Sequence, residues 1–414
     1  MSRTLPKKLA SVKPGTLYAG VDLALDGNVV VVLDEGAQQL ARFRFPNDRG
    51  GYDFFYGRLE RLRKRHQAPE VLVGLEPTNY FWKLLAADLE WHQYGYRLVN
   101  PYTVKKHREG DQLDRSKDDP RDAFTIGDLL RTGKYTETRL LHGGYAELRQ
   151  LATLYDRLQH DRRRQMTLVR SCAGQLFPEL AHEFKDFTGA TASALLRRHA
   201  AASVVRQLSL ASFLTEVRAD FHGQRLLVSK LRRIHARAAQ SVGLSDSVQG
   251  LQLSLRQQLN TLDLLQRQLK EAETALIEVF LTLPEAPYLL SLHGLGLITA
   301  AIILAEIGDP SHYRHGRQLI KLAGTQPVLD ASGRKSRSQT PMSHKGRPRL
   351  RTALFFAVLR LVQVDDAFAQ DYQQLQQRDK NPLTKMEALG ALMNKLLRIL
   401  WALMLHRTFY HSNA

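Results

Sequence analysis

Cysteine is nearly absent from this chain of 414 residues, in which Cys172 is the only one. A single cysteine excludes disulfides within the chain and the paired cysteines of zinc-finger motifs. We find no apolar run long enough to span a bilayer. The first 14 residues are basic but lack the apolar core of a signal peptide. Together these absences predict a cytoplasmic protein that does not act in a membrane.

Acidic residues are the minority of the charged residues. There are 41 Asp and Glu against 59 Lys and Arg, which gives a formal net charge of +18. Such an excess favours a polyanionic partner, most simply nucleic acid. A membrane surface is the alternative, but no amphipathic helix with a basic face stands out. The length is sufficient for two or three domains.

The first hundred residues alternate between β-branched runs and amphipathic runs. Strands are predicted over residues 18–24, 28–33, 39–45, 70–76 and 96–99, and helices over residues 51–66 and 81–91. The first three strands follow one another directly and form a meander, whereas the last two are separated by helices. This order predicts an α/β fold with a mixed sheet.

Carboxylates stand at the predicted ends of two of these strands. Asp22 ends the first strand and Glu76 ends the fourth. The carboxyl edge of an open α/β sheet is where such folds place their sites. For each residue alone, the simpler interpretation is a solvated acid in a turn.

Two further acids lie in the run Lys117-Asp118-Asp119-Pro120-Arg121-Asp122-Ala123. Pro120 suits the first position of a helix and Asp119 suits the cap before it. Asp119 and Asp122 are three residues apart and would share one helix face. Simple capping explains such a pair equally well. With Asp22 and Glu76, however, they form a set of hard oxygen ligands that suits Mg²⁺ or Mn²⁺ and could serve phosphoryl transfer.

Long polar helices are predicted over residues 145–170 and 249–280. The second carries apolar residues at steps of three and four, namely Leu255, Leu259, Leu262, Leu265, Leu269, Ala272 and Leu276. This periodicity is typical of a coiled-coil seam. A helix packed in the core of its own domain has the same pattern.

Glycines and basic residues mark the last third of the chain. Gly294 and Gly296 lie between apolar segments in the pattern of a helix-hairpin-helix, where backbone N–H groups could approach a phosphate; a plain helix–helix turn is the alternative. Ser332 stands in a Gly-containing turn before a basic run that comprises Arg334, Lys335, Arg337, Lys345, Arg347, Arg349 and Arg351. Arginines beside a serine could hold a phosphodiester, although Ser-Gly alone is only a turn signal.

These residues resemble the DEDD-type insertion-sequence transposases, the serine recombinases guided by a bridge RNA. The resemblance runs from Tyr18 to about Val362. It rests on the four acids Asp22, Glu76, Asp119 and Asp122, on Asn100-Pro101 and the motif from Lys117 to Ala123, and on Gly294-Leu295-Gly296, Gly324 with Pro327, Ser332-Gly333 and Lys345-Gly346 through Leu350-Arg351.

The resemblance implies a domain order. A RuvC-like (RNase H-like) mixed-sheet domain would cover residues 17–144, and a helical coiled-coil linker and dimerisation region would cover residues 145–283. A mainly α transposase domain, with the helix-hairpin-helix-like element and the serine, would cover residues 284–365. Residues 366–414 would form C-terminal helices.

It also implies chemistry and partners. Mg²⁺ or Mn²⁺ would be held by the four acids, and Ser332 would form a covalent ester with DNA. The glycines Gly294 and Gly296 and the basic run would bind nucleic acid. Target and donor DNA would be chosen by a noncoding bridge RNA. A homo-oligomer, a dimer or a dimer of dimers, would build each site from two subunits, with the seam at residues 255–276 as the dimer contact. Such an enzyme would act on the bacterial nucleoid.

Two positions depart from the family pattern. Asp118 stands where the motif has Thr or Ser and could compete with Asp119 for metal, and Ala331 replaces a Gln before the serine. Two other functions are considered. A RuvC-like junction-resolving nuclease would use water as nucleophile and need the acids without Ser332. A non-enzymatic nucleic-acid-binding protein would need neither.

Overall fold

The computed structural model describes residues 12–78, 80–111, 119–136, 140–222, 225–246, 248–328, 331–332, 335–336 and 341–411. Lys117, Asp118, Gly333, Arg334 and Arg337 lie outside the described residues. The chain divides into two compact units, residues 1–140 and residues 141–414. The four-part division given above stays a prediction.

Unit 1 contains five strands and four helices among its described residues. The strands are β1 (Leu17–Asp22), β2 (Asn28–Leu33), β3 (Gln39–Phe45), β4 (Val71–Leu75) and β5 (Gly95–Leu98). The helices are α1 (Arg49–Arg65), α2 (Phe81–Trp91), α3 (Pro101–Asp111) and α4 (Asp119–Arg131). The sequence therefore predicted every strand of this sheet, with bounds that differ by two residues or fewer.

The five strands form one mixed sheet in the order β3-β2-β1-β4-β5. β1, β2 and β3 pair antiparallel, while β4 and β5 run parallel to β1, which confirms the predicted meander and mixed sheet. Each face of the sheet has its own core. Val21 and Val30 pack with Phe55 of α1 on one face, and Val29 packs with Ile126 of α4 on the other.

Among its described residues, unit 2 is helical apart from one short two-stranded ribbon, β6 (Ala331–Ser332) with β7 (Lys335–Ser336), and an isolated bridge between Pro327 and Met342. Its helices are α5 (Gly143–Leu176), α6 (Leu180–Glu183), α7 (Ala190–Arg198), α8 (Ala202–Arg206), α9 (Leu210–Ala219), α10 (Val228–Ala238), α11 (Gln249–Thr282), α12 (Ala286–Leu290), α13 (Leu297–Ile307), α14 (Gly316–Ala323), α15 (Pro348–Val364), α16 (Asp366–Gln377) and α17 (Lys385–His406). A short 3₁₀ turn spans Pro310–His312.

The two long helices α5 and α11 pack against each other in opposite directions. Leu148 near the start of α5 shares a core with Phe280 near the end of α11, and Val169 shares one with Leu255. All seven apolar residues of the predicted seam are buried within this chain. The expectation that the seam supplies a dimer contact is therefore wrong, because α5 of the same chain already covers it.

Helix α17 shows that the sequence does hold one segment of membrane-spanning length. It has 22 residues and is apolar enough to cross a bilayer by length and composition alone, contrary to our expectation. Half of its most apolar window is buried inside the protein. Leu392, Leu396 and Leu400 lie in the main core of unit 2 with Leu354 of α15. These contacts are those of a core helix.

Candidate active site

Asp22 and Glu76 lie at the same edge of the sheet. β1 and β4 pair in parallel register, with Gly20 opposite Gly74 and Val21 opposite Leu75. Asp22 ends β1 and Glu76 directly follows β4, so the two acids come one position after the last paired residues. Because side chains alternate along a strand, both acids belong to the face on which the two glycines lie.

Helix α4 covers that face through unusually close backbone contacts. A Cβ atom placed on Gly20 would lie 2.0 Å from the Ala123 carbonyl oxygen, and one on Gly74 would lie 2.9 Å from Cγ2 of Ile126. Only glycine lets the helix approach the two central strands so closely. The first turn of α4, which carries Asp119 and Asp122, is thereby held at the end of the strands that bears Asp22 and Glu76.

The two acids of α4 differ in exposure. Asp122 is 6% exposed, whereas the Asp119 side chain is 52% exposed and lies 3.6 Å from the Arg44 guanidinium of β3. Both stand in the first helical turn, where the helix dipole stabilises negative charge. A buried carboxylate such as Asp122 is costly without partners, and Asp122 does have interactions within the protein. We call these four residues, Asp22, Glu76, Asp119 and Asp122, the acid edge.

The acid edge has the donor chemistry that a hard divalent cation requires, namely four carboxylates on adjoining elements. Among the described residues, no group of three His, Cys, Asp or Glu side chains is close enough together to hold an ion. The strand register and the close packing of α4 gather the four acids at one edge of the sheet. Asp118, the possible competitor for metal, is outside the described residues.

Ser332 lies on a hairpin, which we call the serine hairpin (residues 324–347). Ser332 pairs with Lys335 in the short ribbon, and only residues 333 and 334 connect the two strands. Nearer the base, the Val328 N–H donates to the Pro341 carbonyl at 2.9 Å and the Ser343 N–H donates to the Gln326 carbonyl at 2.9 Å. Among the described residues, Ser332 therefore belongs to a two-stranded ribbon, and a second set of cross-strand contacts, including the bridge between Pro327 and Met342, lies nearer the helices.

The base of the serine hairpin is fixed by glycines and by a side-chain clamp. Gly324 has a φ of +69°, and a Cβ on Gly346 would lie 2.3 Å from the Gly324 nitrogen. The Thr325 hydroxyl donates to Oδ1 of Asn394 at 2.6 Å, and the Asn394 amide donates to the Thr325 carbonyl at 3.2 Å. These contacts tie the hairpin to α17.

All three described arginines of the basic run have partners inside unit 2. Arg347 donates to the Glu306 carbonyl, and Arg349 lies 3.0 Å from the Glu306 carboxylate. Arg351 donates to the carbonyls of Ala323 and His344, at 2.9 and 3.4 Å. These arginines hold the base of the hairpin, while the Lys345 side chain is exposed.

Sequence reasoning missed the buried centre of this arrangement. Glu306 at the end of α13 is buried, and Arg149 of α5 donates to the Ala305 and Glu306 carbonyls. Burial and the neighbouring Arg347 lower the pKa of Arg149 to about 10. We call Arg149, Glu306, Arg347 and Arg349 the arginine–glutamate cluster. In the sequence, the only sign of this cluster is Glu306, an acid near the end of an otherwise apolar helix.

The two glycines of the predicted helix-hairpin-helix have different surroundings. Gly294 has a φ of +97°, and a Cβ there would lie 2.5 Å from Cγ2 of Val364. Gly296 precedes α13 and has open space around its Cα. Position 294 therefore requires glycine, because of its backbone angle and its packing against α15. At Gly296, the space that a side chain would occupy is open.

Two family models match the chain. One, described as a transposase model of the DEDD type from IS110, matches residues 19–178, and one described as the IS116/IS110/IS902 transposase family matches residues 286–373. The first spans the acid edge and the second spans the serine hairpin. The chain belongs to the DEDD-type insertion-sequence transposases. It is an enzyme that acts on DNA, and its five-stranded mixed sheet fits the RNase H-like fold of these transposases.

Several proteins are similar to this transposase. The mini-circle transposase of IS117 from Streptomyces coelicolor is 28% identical over 336 residues, which cover 77% of this chain and 78% of that protein. A 42 kDa protein of the insertion element IS900 from Mycobacterium paratuberculosis is 25% identical over 95% of this chain and 97% of its own length. The pilin gene-inverting protein of Moraxella bovis is 32% identical over 118 residues, 28% of this chain and 36% of that protein.

Proposed function

We propose that this transposase is an RNA-guided recombinase that cuts and rejoins DNA through a covalent ester at Ser332. The observation that carries the proposal is the presence, in one chain, of the acid edge and of a serine on its own hairpin. A nuclease that uses water would need the acids alone. A serine on a hairpin whose base is anchored to α17 suits a nucleophile that must reach a DNA backbone.

In this proposal Asp22, Glu76, Asp119 and Asp122 would hold Mg²⁺ or Mn²⁺. The ion would polarise the scissile phosphate and stabilise the departing 3′ oxygen. Of the two acids on α4, Asp122 is buried and Asp119 is exposed. The buried Asp122 and the strand-end acids supply the fixed part of such a site, and the exposed Asp119 supplies the adjustable part.

The serine chemistry proposed here is a transesterification. The Ser332 oxygen would attack phosphorus, the bond from phosphorus to the 3′ oxygen would break, and the strand would leave with a 3′ hydroxyl. The 5′ phosphate would remain esterified to Ser332. Because the ester conserves the energy of the phosphodiester, a second 3′ hydroxyl could displace the serine and rejoin the strands without a nucleotide cofactor.

Sequence choice by a bridge RNA is the second part of the proposal. The net charge of +18 supports a protein that grips nucleic-acid backbone and delegates base reading to pairing with RNA. The helix-hairpin-helix-like turn at Gly296 and the exposed Lys345 would be among the backbone contacts. Arg347, Arg349 and Arg351 would act on the hairpin instead, since they bind protein groups.

Trapping the intermediate tests the proposal. A DNA substrate nicked beside the scissile bond should accumulate a protein–DNA band that survives denaturing electrophoresis, and peptide mass spectrometry should find the adduct on Ser332. Ser332→Ala should lose the band and all recombination. Free DNA ends released by Ser332→Ala, with no covalent band from the wild type, would establish a nuclease that uses water.

Mixing variants tests whether sites are shared between subunits, as the family resemblance implies. Ser332→Ala and Asp22→Ala proteins should each be inactive alone. A mixture should recover part of the recombination activity, because some hetero-oligomers would combine an intact acid edge with an intact serine. A mixture as inactive as its components would show that each chain completes its own site.

A further inference from the structure

Two arginines of the edge strand β3 lie on the same face of the sheet as the acid edge. Arg44 pairs with Val29 of β2, and Val29 pairs with Asp22 of β1. Directly paired residues share a face, so Arg44 stands two strands away from Asp22 in one cross-strand row. Arg42 lies on the same face one repeat further from the site, opposite Val31.

Arg44 also contacts the acid edge directly. Its guanidinium lies 3.6 Å from the Asp119 carboxylate, and the two side chains are 68% and 52% exposed. An ion pair as exposed as this one contributes at most about 1 kcal/mol to stability. The guanidinium is therefore held near the site but can exchange its partner at little cost.

A DNA strand that approaches the acid edge meets four carboxylates, which repel its phosphates. A cation beside them is needed to offset that repulsion. Guanidinium is suited to this task, because its fork donates two parallel hydrogen bonds to phosphate oxygens and it stays charged at any physiological pH. Arg44 provides this group at the edge, and Arg42 continues the positive track about 7 Å away along the exposed strand.

We propose that Arg44 binds a phosphate of the DNA strand that is cut, and exchanges Asp119 for that phosphate when the strand enters. Arg42 binds the strand one step further out. The proposal rests on the acid edge as the cleavage site. It gives Arg42 and Arg44 a role in substrate binding. Because Phe43 and Phe45 face the core, the alternation along β3 requires only that residues 42 and 44 face the other side of the sheet, and it does not require them to be arginines.

The test uses the full chain with its guide RNA. Arg44→Ala and Arg44→Lys are compared with Arg61→Ala, an exposed arginine of α1 whose side chain donates to its own helix at the Gly57 carbonyl. DNA affinity is measured over a salt series with an uncleavable substrate. Arg44→Ala should weaken DNA binding about 10- to 100-fold, the range for one charge-assisted contact. Its log–log salt slope should fall by about 0.7 to 0.9.

The other arms decide the source of the effect. Arg44→Lys should recover part of the affinity and the full salt slope, since the charge is kept. Guide-RNA affinity should be unchanged in every variant. An unchanged salt slope in Arg44→Ala, or an equal loss of RNA and DNA affinity, would overturn the proposal. The salt slope measures binding and does not depend on cleavage. The role of Arg44 can therefore be tested even if Ser332 forms no adduct, so a failure of this proposal and a failure of the proposed serine chemistry give different results.

Discussion

Asp22 and Glu76 directly follow the last paired residues of two adjacent parallel strands, so they lie side by side at one edge of the sheet. Replacing either carboxylate with the neutral amide of nearly the same shape should therefore lower activity and leave the fold intact. We expect Asp22→Asn and Glu76→Gln each to lower strand cleavage at least about 100-fold, in line with the several kcal/mol that a bound metal contributes. Single-turnover cleavage assays measure this.

Glu70→Gln is the matched control for these two variants. Glu70 lies just before β4, at the opposite end of the strand from Glu76, and its carboxylate accepts a hydrogen bond from the Thr16 hydroxyl at 3.2 Å. Cleavage by this variant should stay within about twofold of the wild type. Equal losses from Glu70→Gln and Glu76→Gln would remove any special role for the acid edge.

Gly20→Ala should disturb the packing of α4 against the sheet. The added methyl would lie 2.0 Å from the Ala123 carbonyl oxygen, a separation that forces the helix away from the sheet. Overpacking of this kind costs about 1–3 kcal/mol. Gly57→Ala is the control, since nothing lies within 4 Å of its added methyl in α1, and alanine should stabilise that helix by up to about 1 kcal/mol. Urea unfolding followed by circular dichroism compares the two.

Glu306→Ala should destabilise unit 2 because it leaves the arginine–glutamate cluster without its anion. We expect a cost of about 2–3 kcal/mol, below the full cost of breaking a buried pair because Arg347 and Arg349 are partly exposed. Asp263→Asn breaks the more exposed contact with Arg197 and should cost less than about 1 kcal/mol. Similar melting temperatures for the two variants would contradict the assignment.

Asn394→Ala should loosen the serine hairpin. Loss of its two hydrogen bonds to Thr325 should cost about 1–2 kcal/mol. Hydrogen exchange should accelerate at the Ser343 and His344 amides, which close the hairpin stem. Asn260→Ala, which removes an exposed contact with Arg197, should leave those amides unchanged. Unaltered exchange in Asn394→Ala would mean that the stem needs no anchor on α17.

His199 should make stability depend on pH. The side chain is buried, and burial lowers its pKa below the ordinary 6.5 despite the nearby Glu216. The unfolded chain then binds a proton more readily than the folded one, so stability is full above pH 6.5 and falls as pH drops toward the folded pKa. His199→Phe should flatten this part of the stability curve. An identical pH dependence in wild type and variant would exclude His199 as its source.

Much of unit 1 could be predicted from local sequence. The β-branched run at Asn28–Leu33 and the proline at position 120 favour a strand and a helix start by local preference, and the structure has both elements. The acids at the strand ends could be named in the same way. Their placement at one edge follows from strand order, which the meander and the alternating helices already predicted.

The periodicity of apolar residues does not show which element covers the apolar face of a helix. The seam from Leu255 to Leu276 is the same pattern whether its partner is α5 of this chain or a second subunit, and only the tertiary structure decided for α5. The basic run posed the same problem. Arg347 and Arg349 carry charge of the kind that can bind phosphate, but within the fold both pair with the buried Glu306, about forty residues earlier.

The sequence by itself named the candidate residues for the chemistry, because carboxylates, a serine and a surplus of positive charge are properties of composition and spacing. Tertiary structure alone decided which of these groups meet. The strand register places Arg44 in the same cross-strand row as Asp22. Gly20 and Gly74 let α4 pack closely enough against the sheet to bring Asp119 and Asp122 to the strand ends. Contacts between residues distant in the chain depend on backbone approach and strand pairing, which a local pattern does not specify.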